Sequence, residues 1–443
     1  MKDSAHSRLG TLIDSLTRPS YLGDAQHGGP SRSLAAKFLF VVAGAAVLLA
    51  VVLQPLGSSG PDFDPIWNAV TKYLSGQPVY DEDYSTQDPH YLYSPGGTLL
   101  ISPLGWLPGR DLARWVMLLA GAGCILLAMY LLARAVAGPG RRALVVCAGF
   151  VTVTFFFAEP VRSTLKYTNI NGFLLLLQVI FILATVSLLR ARRASDEPLF
   201  PWMVSSLKRP DTLVAAVVLS VALSIKPQFV ALAVLSVLTF QWAVLLVAGL
   251  LFCLYFALGY ATMARPGDYF ERLLPYIGEP RDYNNGSLDG MGLQLGWNPE
   301  LVLGLKVVLM LVTLGAVWAL FAWRHHDPFF WAATSASVLF CGLLMCSGLV
   351  QGYYCIWLFP LLITVLRPSS PMHSVWMWLA YFCLVFAFEV PEDWGVIHSV
   401  LRWQASIAWM FIPTFVLGWA LKNRPSQARV AHNQAAHSQA QLG

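Results

Sequence analysis

Long apolar runs separated by short polar stretches fill this chain from Phe38 to Leu421. Runs such as Phe38 to Leu56, Leu112 to Leu132, Phe173 to Leu189 and Leu301 to Trp323 are apolar on every side, the pattern of a helix surrounded by lipid or by other apolar helices. At about 20 residues per span, such runs read as membrane crossings. Their charged ends set the direction. Arg134, Arg141 and Arg142, then Arg190, Arg192, Arg193, Lys208 and Arg209, then Arg324, and finally Arg367, Lys422 and Arg424 gather in alternate short loops. Lysine and arginine are retained on the cytoplasmic side, so these loops belong inside, as do the tails at residues 1–37 and 422–443. Residues 57–95 and 261–299 then become two large external loops of a transmembrane domain spanning 38–421.

Two interruptions complete the map. Between Asp211 and Tyr260 the apolar sequence breaks at Lys226-Pro227-Gln228 and again near Gln241, because proline and the residue before it disfavour a continuing helix. The first break leaves Lys226 at the external side. Gly96 to Leu107 is predicted as a re-entrant or interfacial helix, since a full crossing there would invert every later loop. The expected fold is an all-α polytopic membrane protein with about twelve crossings, the shorter ones tilted, broken or shielded by neighbours.

Composition agrees: 56% of the 443 residues are hydrophobic and 12% charged, against about 25% charged for an ordinary soluble domain. The net charge of +5 is spread over short loops, so nucleic-acid binding finds no support. Seven cysteines lie in or beside apolar runs, without metal-site or disulfide-framework spacing, and read as packing residues.

The external stretch from Pro61 to Pro95 carries the candidate chemistry: Asp62, Asp64, Asp81, Glu82, Asp83 and Asp88 stand there with one lysine, Lys72. Asp64-Pro65 reads as an N-cap with proline at the first helical position, opening a helix through Leu74. Ile66, Trp67, Val70, Tyr73 and Leu74 give it one apolar face, which is predicted to lie at the outer membrane surface. Asp81 to Asp83 read as a solvated turn. Asp62 has neither role, and sits where the helix dipole is expected to keep it ionised. A carboxylate at that boundary can act as a base toward a hydroxyl whose partner is a lipid-borne electrophile.

The run from Asp62-Phe63 through Ala69 to Gly76, then Pro78-Val79-Tyr80, Tyr91-Leu92-Tyr93-Ser94-Pro95 and Pro103-Leu104 to Leu107-Pro108, resembles the opening pattern of the bacterial family 87 glycosyltransferases. Thr168-Asn169-Ile170-Asn171, Ile225-Lys226-Pro227-Gln228 and Asn285-Gly286-Ser287-Leu288-Asp289-Gly290 resemble three later motifs of that family, in order. One stretch departs: Ser347 to Tyr354 aligns with a pattern that carries histidines, and has none, so Tyr353, Tyr354 and Lys226 are the candidates to replace them.

The resemblance implies the GT-C fold and an inverting transfer from a polyprenyl-phosphate sugar to a glycan or glycolipid on the external face of a bacterial plasma membrane. Asp62 would be the base; Lys226, Arg162, Lys166 and Tyr354 would hold the donor phosphate; Asn169, Asn171, Asn285, Ser287 and Tyr93 would meet sugar or acceptor. No cofactor or metal is implied. Helix capping is the competing role for the asparagines. Mannose is the first expectation for the sugar and arabinofuranose the second. A lipid-linked sugar flippase or transporter is the rival class, for which Lys226 at a broken helix would mark the pathway but Asp62 would be unnecessary.

Overall fold

The computed structural model describes residues 30–386, 395 and 401–425. Arg8 and Arg18 of the first tail, the acids Glu389, Glu392 and Asp393, and the chain beyond 425 lie outside the described residues. Within them the architecture is helical, with no strand among the described residues. The helices used below are α1 (Pro30–Leu56), α2 (Phe63–Leu74), α3 (Pro95–Ile101), α4 (Arg110–Ala137), α5 (Arg141–Phe157), α6 (Glu159–Tyr167), α7 (Asn171–Arg193), α8 (Pro210–Ile225), α9 (Trp242–Thr262), α10 (Leu288–Leu295), α11 (Pro299–Leu320), α12 (Pro328–Cys346), α13 (Val375–Val385) and α14 (Gln404–Lys422).

Seven of these, α1, α4, α7, α9, α11, α12 and α14, have the length and apolar content to cross a membrane. The chain is a multi-pass membrane protein. Burial sorts the seven into layers: 89% of the apolar stretch of α12 and 78% of that of α7 are enclosed, against 22% for α1 and α9. The core therefore sits between α7 and α12, which pack on each other, with α4 and α8 on one flank and α11 and α14 on the other. The first crossing starts earlier than the hydropathy boundary at Phe38, because Pro30 supplies a favourable first helical residue.

The elements outside these spans depart most from expectation. α2 begins one residue before Asp64, so Asp62 holds the N-cap position and Asp64 lies in the first turn. Arg110, at the start of α4, draws Asp64 away from capping with an Nε–Oδ1 bond of 2.6 Å. The apolar face of α2 does not rest on lipid headgroups: Phe63, Ile66, Ala69 and Val70 are buried, and the helix packs on the 3-10 turn Ser102–Trp106. Asp83 is an exposed turn residue, as expected, accepting from Ser85, but Asp81 and Glu82 are engaged further afield. Arg272, between α9 and α10, pairs closely with Asp81, Arg265 reaches it at 3.4 Å, and Glu82 accepts from the backbone N–H of Tyr91. Asp81 and the Glu82 carbonyl thereby join the loop after α2 to the segment between α9 and α10.

α3 is too short to cross and runs on into the 3-10 turn, as a re-entrant or interfacial element should. Its tight seat explains its glycines. A Cβ at Gly97 would come within 2.5 Å of the Ser224 carbonyl oxygen, and one at Gly259 of α9 would collide with the carbonyl of Pro95. Ser94 caps α3 through Gly97 N–H and donates its hydroxyl to the Ser224 oxygen at 2.6 Å. The α3 entry is thereby fastened to the last turn of α8, beside Lys226.

Candidate active site

Asp62 enters the site because it occupies an N-cap position without capping. Its side chain makes no bond to the first turn of α2. An aspartate there ordinarily contributes about 1 kcal/mol by doing so. The carboxylate turns instead toward Asn169, whose Nδ2 donates to Oδ2 at 3.2 Å, and the Tyr353 hydroxyl is its second hydrogen-bond donor.

Asn169 is itself fixed. Its Oδ1 accepts from the backbone N–H of Asn171 at 3.1 Å and from Asn171 Nδ2 at 2.9 Å, so its amide group can only point its N–H edge at Asp62. Thr168, in the left-handed region with φ 56°, turns the chain from α6 into α7 and presents the pair. Asn171 is thus a support behind Asn169, only 1% exposed, with its own Oδ1 unpartnered.

Lys226 reaches the same place from the other side. Pro227 ends α8, leaving Lys226 in extended conformation at its C-cap, where the helix dipole favours a cation. Its Nζ lies 3.9 Å from the centre of the Tyr354 ring and 5.2 Å from that of Trp357, which stacks on Tyr354 at 4.7 Å. Such contacts are each worth about 0.5–2 kcal/mol and leave the ammonium hydrogens free. Gln178 of α7 anchors this aromatic wall from below, donating to the Trp357 carbonyl at 2.8 Å. Lys226, Tyr93 and Tyr354 all lie within electrostatic reach of the Asp62 carboxylate.

Burial pushes the Asp62 carboxyl above the ordinary carboxylate range, against the opposing pull of Asn169, Tyr353 and Lys226. The helix dipole does not hold it low as expected, because its surroundings are largely enclosed. A carboxylate so raised is a stronger base than a solvated one.

The remaining candidates separate cleanly. Arg162 is exposed on α6, facing Glu159 at 3.9 Å, so the external loop expected from Glu159 to Asn171 is mostly helix. Lys166 lies over the Tyr167 ring at 5.5 Å, one aromatic neighbour removed from Tyr353, and its carbonyl accepts from Arg114. Neither cation is brought to Asp62. Asn285 is saturated: Nδ2 donates to the carbonyls of Arg281 and Gly348, and Oδ1 accepts from the N–H groups of Ser287 and Val350. Ser287 is fully buried and caps α10 through Gly290 N–H. Capping and loop closure, not sugar contact, occupy both residues.

An open pocket of about 630 Å³ is lined by Asp81, Glu82, Asp83, Tyr84 and Arg272, and none of the Asp62 group borders it. Its acids are already engaged by arginine or by neighbouring N–H and O–H groups. Among the described residues no three His, Cys, Asp or Glu side chains gather as metal ligands would.

The profile of glycosyltransferase family 87 matches residues 91–348. An alpha-(1->3)-arabinofuranosyltransferase of Mycobacterium tuberculosis (strain ATCC 25618 / H37Rv) is 32% identical over 429 residues, covering 95% of this chain and 89% of that protein. Proteins of the same description from Corynebacterium glutamicum and Mycolicibacterium smegmatis are similar too. The first is 32% identical over 375 residues, 82% of each chain; the second is 31% identical over 426, 93% of this chain and 90% of the relative. No solved structure matches.

Proposed function

Because this chain belongs to glycosyltransferase family 87, we propose that it moves an arabinofuranosyl residue from a polyprenyl-phosphate donor to a glycan hydroxyl, with Asp62 as the base. That it is a glycosyltransferase follows from the family; the sugar is read from the relatives, each described as an arabinofuranosyltransferase. Mannose, expected first from the motifs, gives way to arabinofuranose.

The observation that carries the mechanism is the meeting of Asp62, Asn169, Tyr353 and Lys226, which come from four distant parts of the chain. In the proposed step the acceptor oxygen attacks the anomeric carbon on the face opposite the phosphate. Asp62 takes the hydroxyl proton, the bond from that carbon to the phosphate oxygen breaks, and the electron pair leaves on the polyprenyl phosphate. Asn169 and Tyr353 hold the carboxylate in one orientation, and Lys226 stabilises charge developing on the leaving group. An inverting attack that ends in an α-linkage consumes a β-linked donor. Tyr93, partly buried beside Asp62, is in place to flank the sugar.

The same reading places the site at the external face of the bacterial plasma membrane, with both tails in the cytoplasm. Seven long spans and the bent pair α5 and α6 account for up to eight passes, and the four shorter apolar helices would supply the rest of the expected count of about twelve. The test is reconstitution of the purified protein in liposomes with an oligoarabinoside acceptor and either polyprenyl-phosphate arabinofuranose or polyprenyl-phosphate mannose. Transfer of the pentose with an α-(1→3) product is expected. Transfer of mannose alone, or movement of intact donor across the bilayer without transfer, would overturn the reading.

A further inference from the structure

Asp62 and its partner Asn169 stand just past the ends of two different helices. The chain leaves α1 at Leu56 and reaches Asp62 through the turn at Ser58 to Gly60; it leaves α6 at Tyr167 and reaches Asn169 through Thr168. Their 3.2 Å bond therefore depends on how the two helix exits are held against each other. Arg114 of α4 lies between those exits. Its Nη2 donates to the carbonyl of Pro55, in the last turn of α1, at 3.3 Å and to that of Lys166, in the last turn of α6, at 3.4 Å. Its Nε donates to the Thr168 hydroxyl at 3.2 Å. Helix C-termini carry partial negative charge and carbonyls short of partners, so a guanidinium set across two of them is balanced without a carboxylate. The rigid fork of arginine suits a side chain that must bond in several directions at once.

Both exits are shaped around this guanidinium. Gly60, with φ 78°, lies directly against it: a Cβ there would stand 2.6 Å from Nε and 3.0 Å from Cζ. The Gly60 carbonyl accepts from the Phe63 N–H at 2.9 Å, which turns the chain through Asp62. On the other side Thr168 is left-handed, a conformation that a β-branched residue keeps only where its surroundings fix it. Its hydroxyl donates to the Leu165 carbonyl and accepts from Arg114, and the two bonds hold it there. Arg110, one turn earlier on α4, makes no such bridge. It takes the Ser59 carbonyl and Asp64, both on the Asp62 side.

We propose that Arg114 is a positioning residue that sets the Asp62–Asn169 contact by clamping the exits of α1 and α6 together. The inference rests on the reading of Asp62 as the base. Arg114 acts on the reaction through Asn169, whose amide orients the carboxylate toward the acceptor hydroxyl. Loss of the clamp therefore slows the chemical step, since a base displaced by a fraction of an ångström loses its line to the proton. Donor binding, assigned to Lys226 on the opposite side of the site, is untouched.

The test is steady-state kinetics of the full-length protein in liposomes, with polyprenyl-phosphate arabinofuranose and an oligoarabinoside, for wild type, D62N, N169A, R114A, T168V and R114A/N169A. R114A should lower kcat about ten- to a hundred-fold with the donor KM unchanged, and added methylguanidinium should restore turnover to R114A but not to N169A. The double variant should be no slower than N169A, because a residue that acts through Asn169 has nothing left to position once the amide is gone. T168V keeps the arginine and removes one of its bonds, so its kcat should fall in the same direction. Wild-type kcat in R114A, or a double variant slower than N169A, overturns the proposal; beside an inactive D62N either result leaves the base reading intact. A rise in donor KM together with the fall in kcat, without rescue by methylguanidinium, assigns Arg114 to structure and also overturns it. Should R114A fail to fold, T168V decides, and its wild-type kcat overturns the clamp. Normal transfer by D62N overturns the base reading, and the proposal with it.

Discussion

Asp62 and Asp81 stand in the same polar stretch and meet opposite fates. Asp81 is exposed and answered by two guanidinium groups, Arg272 and Arg265, while Lys72 donates to its backbone carbonyl at 3.2 Å. The Arg272 hydrogen bond holds its carboxyl below the ordinary range. Asp62 is largely enclosed, bonded to an amide and a phenol, and has its cation near but not bound to it in an ion pair. The first arrangement consumes the negative charge to join two loops. The second keeps a basic oxygen poised, because neutral donors orient a carboxylate without neutralising it. On the proposed mechanism, what separates a latch from a base is therefore the partner, not the acid.

Asp62→Asn is the sharpest way to break that contrast: transfer should fall about 10²–10⁴-fold, the range for losing a general base, with the thermal midpoint unchanged. Lys226→Met keeps the packing against Tyr354 and Trp357 but removes the charge. It should raise the donor KM by about tenfold or more and leave the acceptor KM alone, as steady-state kinetics with each substrate varied will read. Tyr353→Phe should move a pH profile. The hydroxyl lowers the Asp62 pKa against burial, so its loss raises that pKa further. The base works only when ionised, and the acid limb of kcat/KM shifts to higher pH. Asp81→Asn should have the smallest effect, turnover staying within about twofold and the change in thermal midpoint shrinking with added salt, because exposed ion pairs contribute little and are screened.

Much of this was legible in the sequence, for identifiable reasons. Apolar runs locate the spans, and Lys226-Pro227 announces its own helix break because proline acts locally. Asp62 reads in the sequence as the acid without a structural role, whereas the structure places it at the N-cap position of α2, without a capping bond. Other readings failed where they needed partners distant in sequence. Asp64 looked like the cap of α2 until Arg110 claimed it, and the apolar period of α2 tells which face is buried but not that protein, rather than lipid, covers it. Asn285 and Ser287 sit in a motif that resembles a sugar-binding loop, and only the carbonyl of Gly348 and the N–H of Val350 reveal the amide of Asn285 as fully used. Arg162 and Lys166 fell on a helix whose left-handed exit at Thr168 has no glycine to signal it.

The central claim is that an oriented, largely enclosed Asp62, and no other acid of the external stretch, removes the acceptor proton. The most direct measurement compares the D62N and D81N proteins in one reconstituted assay with polyprenyl-phosphate arabinofuranose, scoring the acceptor by mass spectrometry for one added pentose. The account predicts a product with D81N at close to the wild-type rate and almost none with D62N. Wild-type transfer by D62N, or its loss in D81N alone, would contradict it.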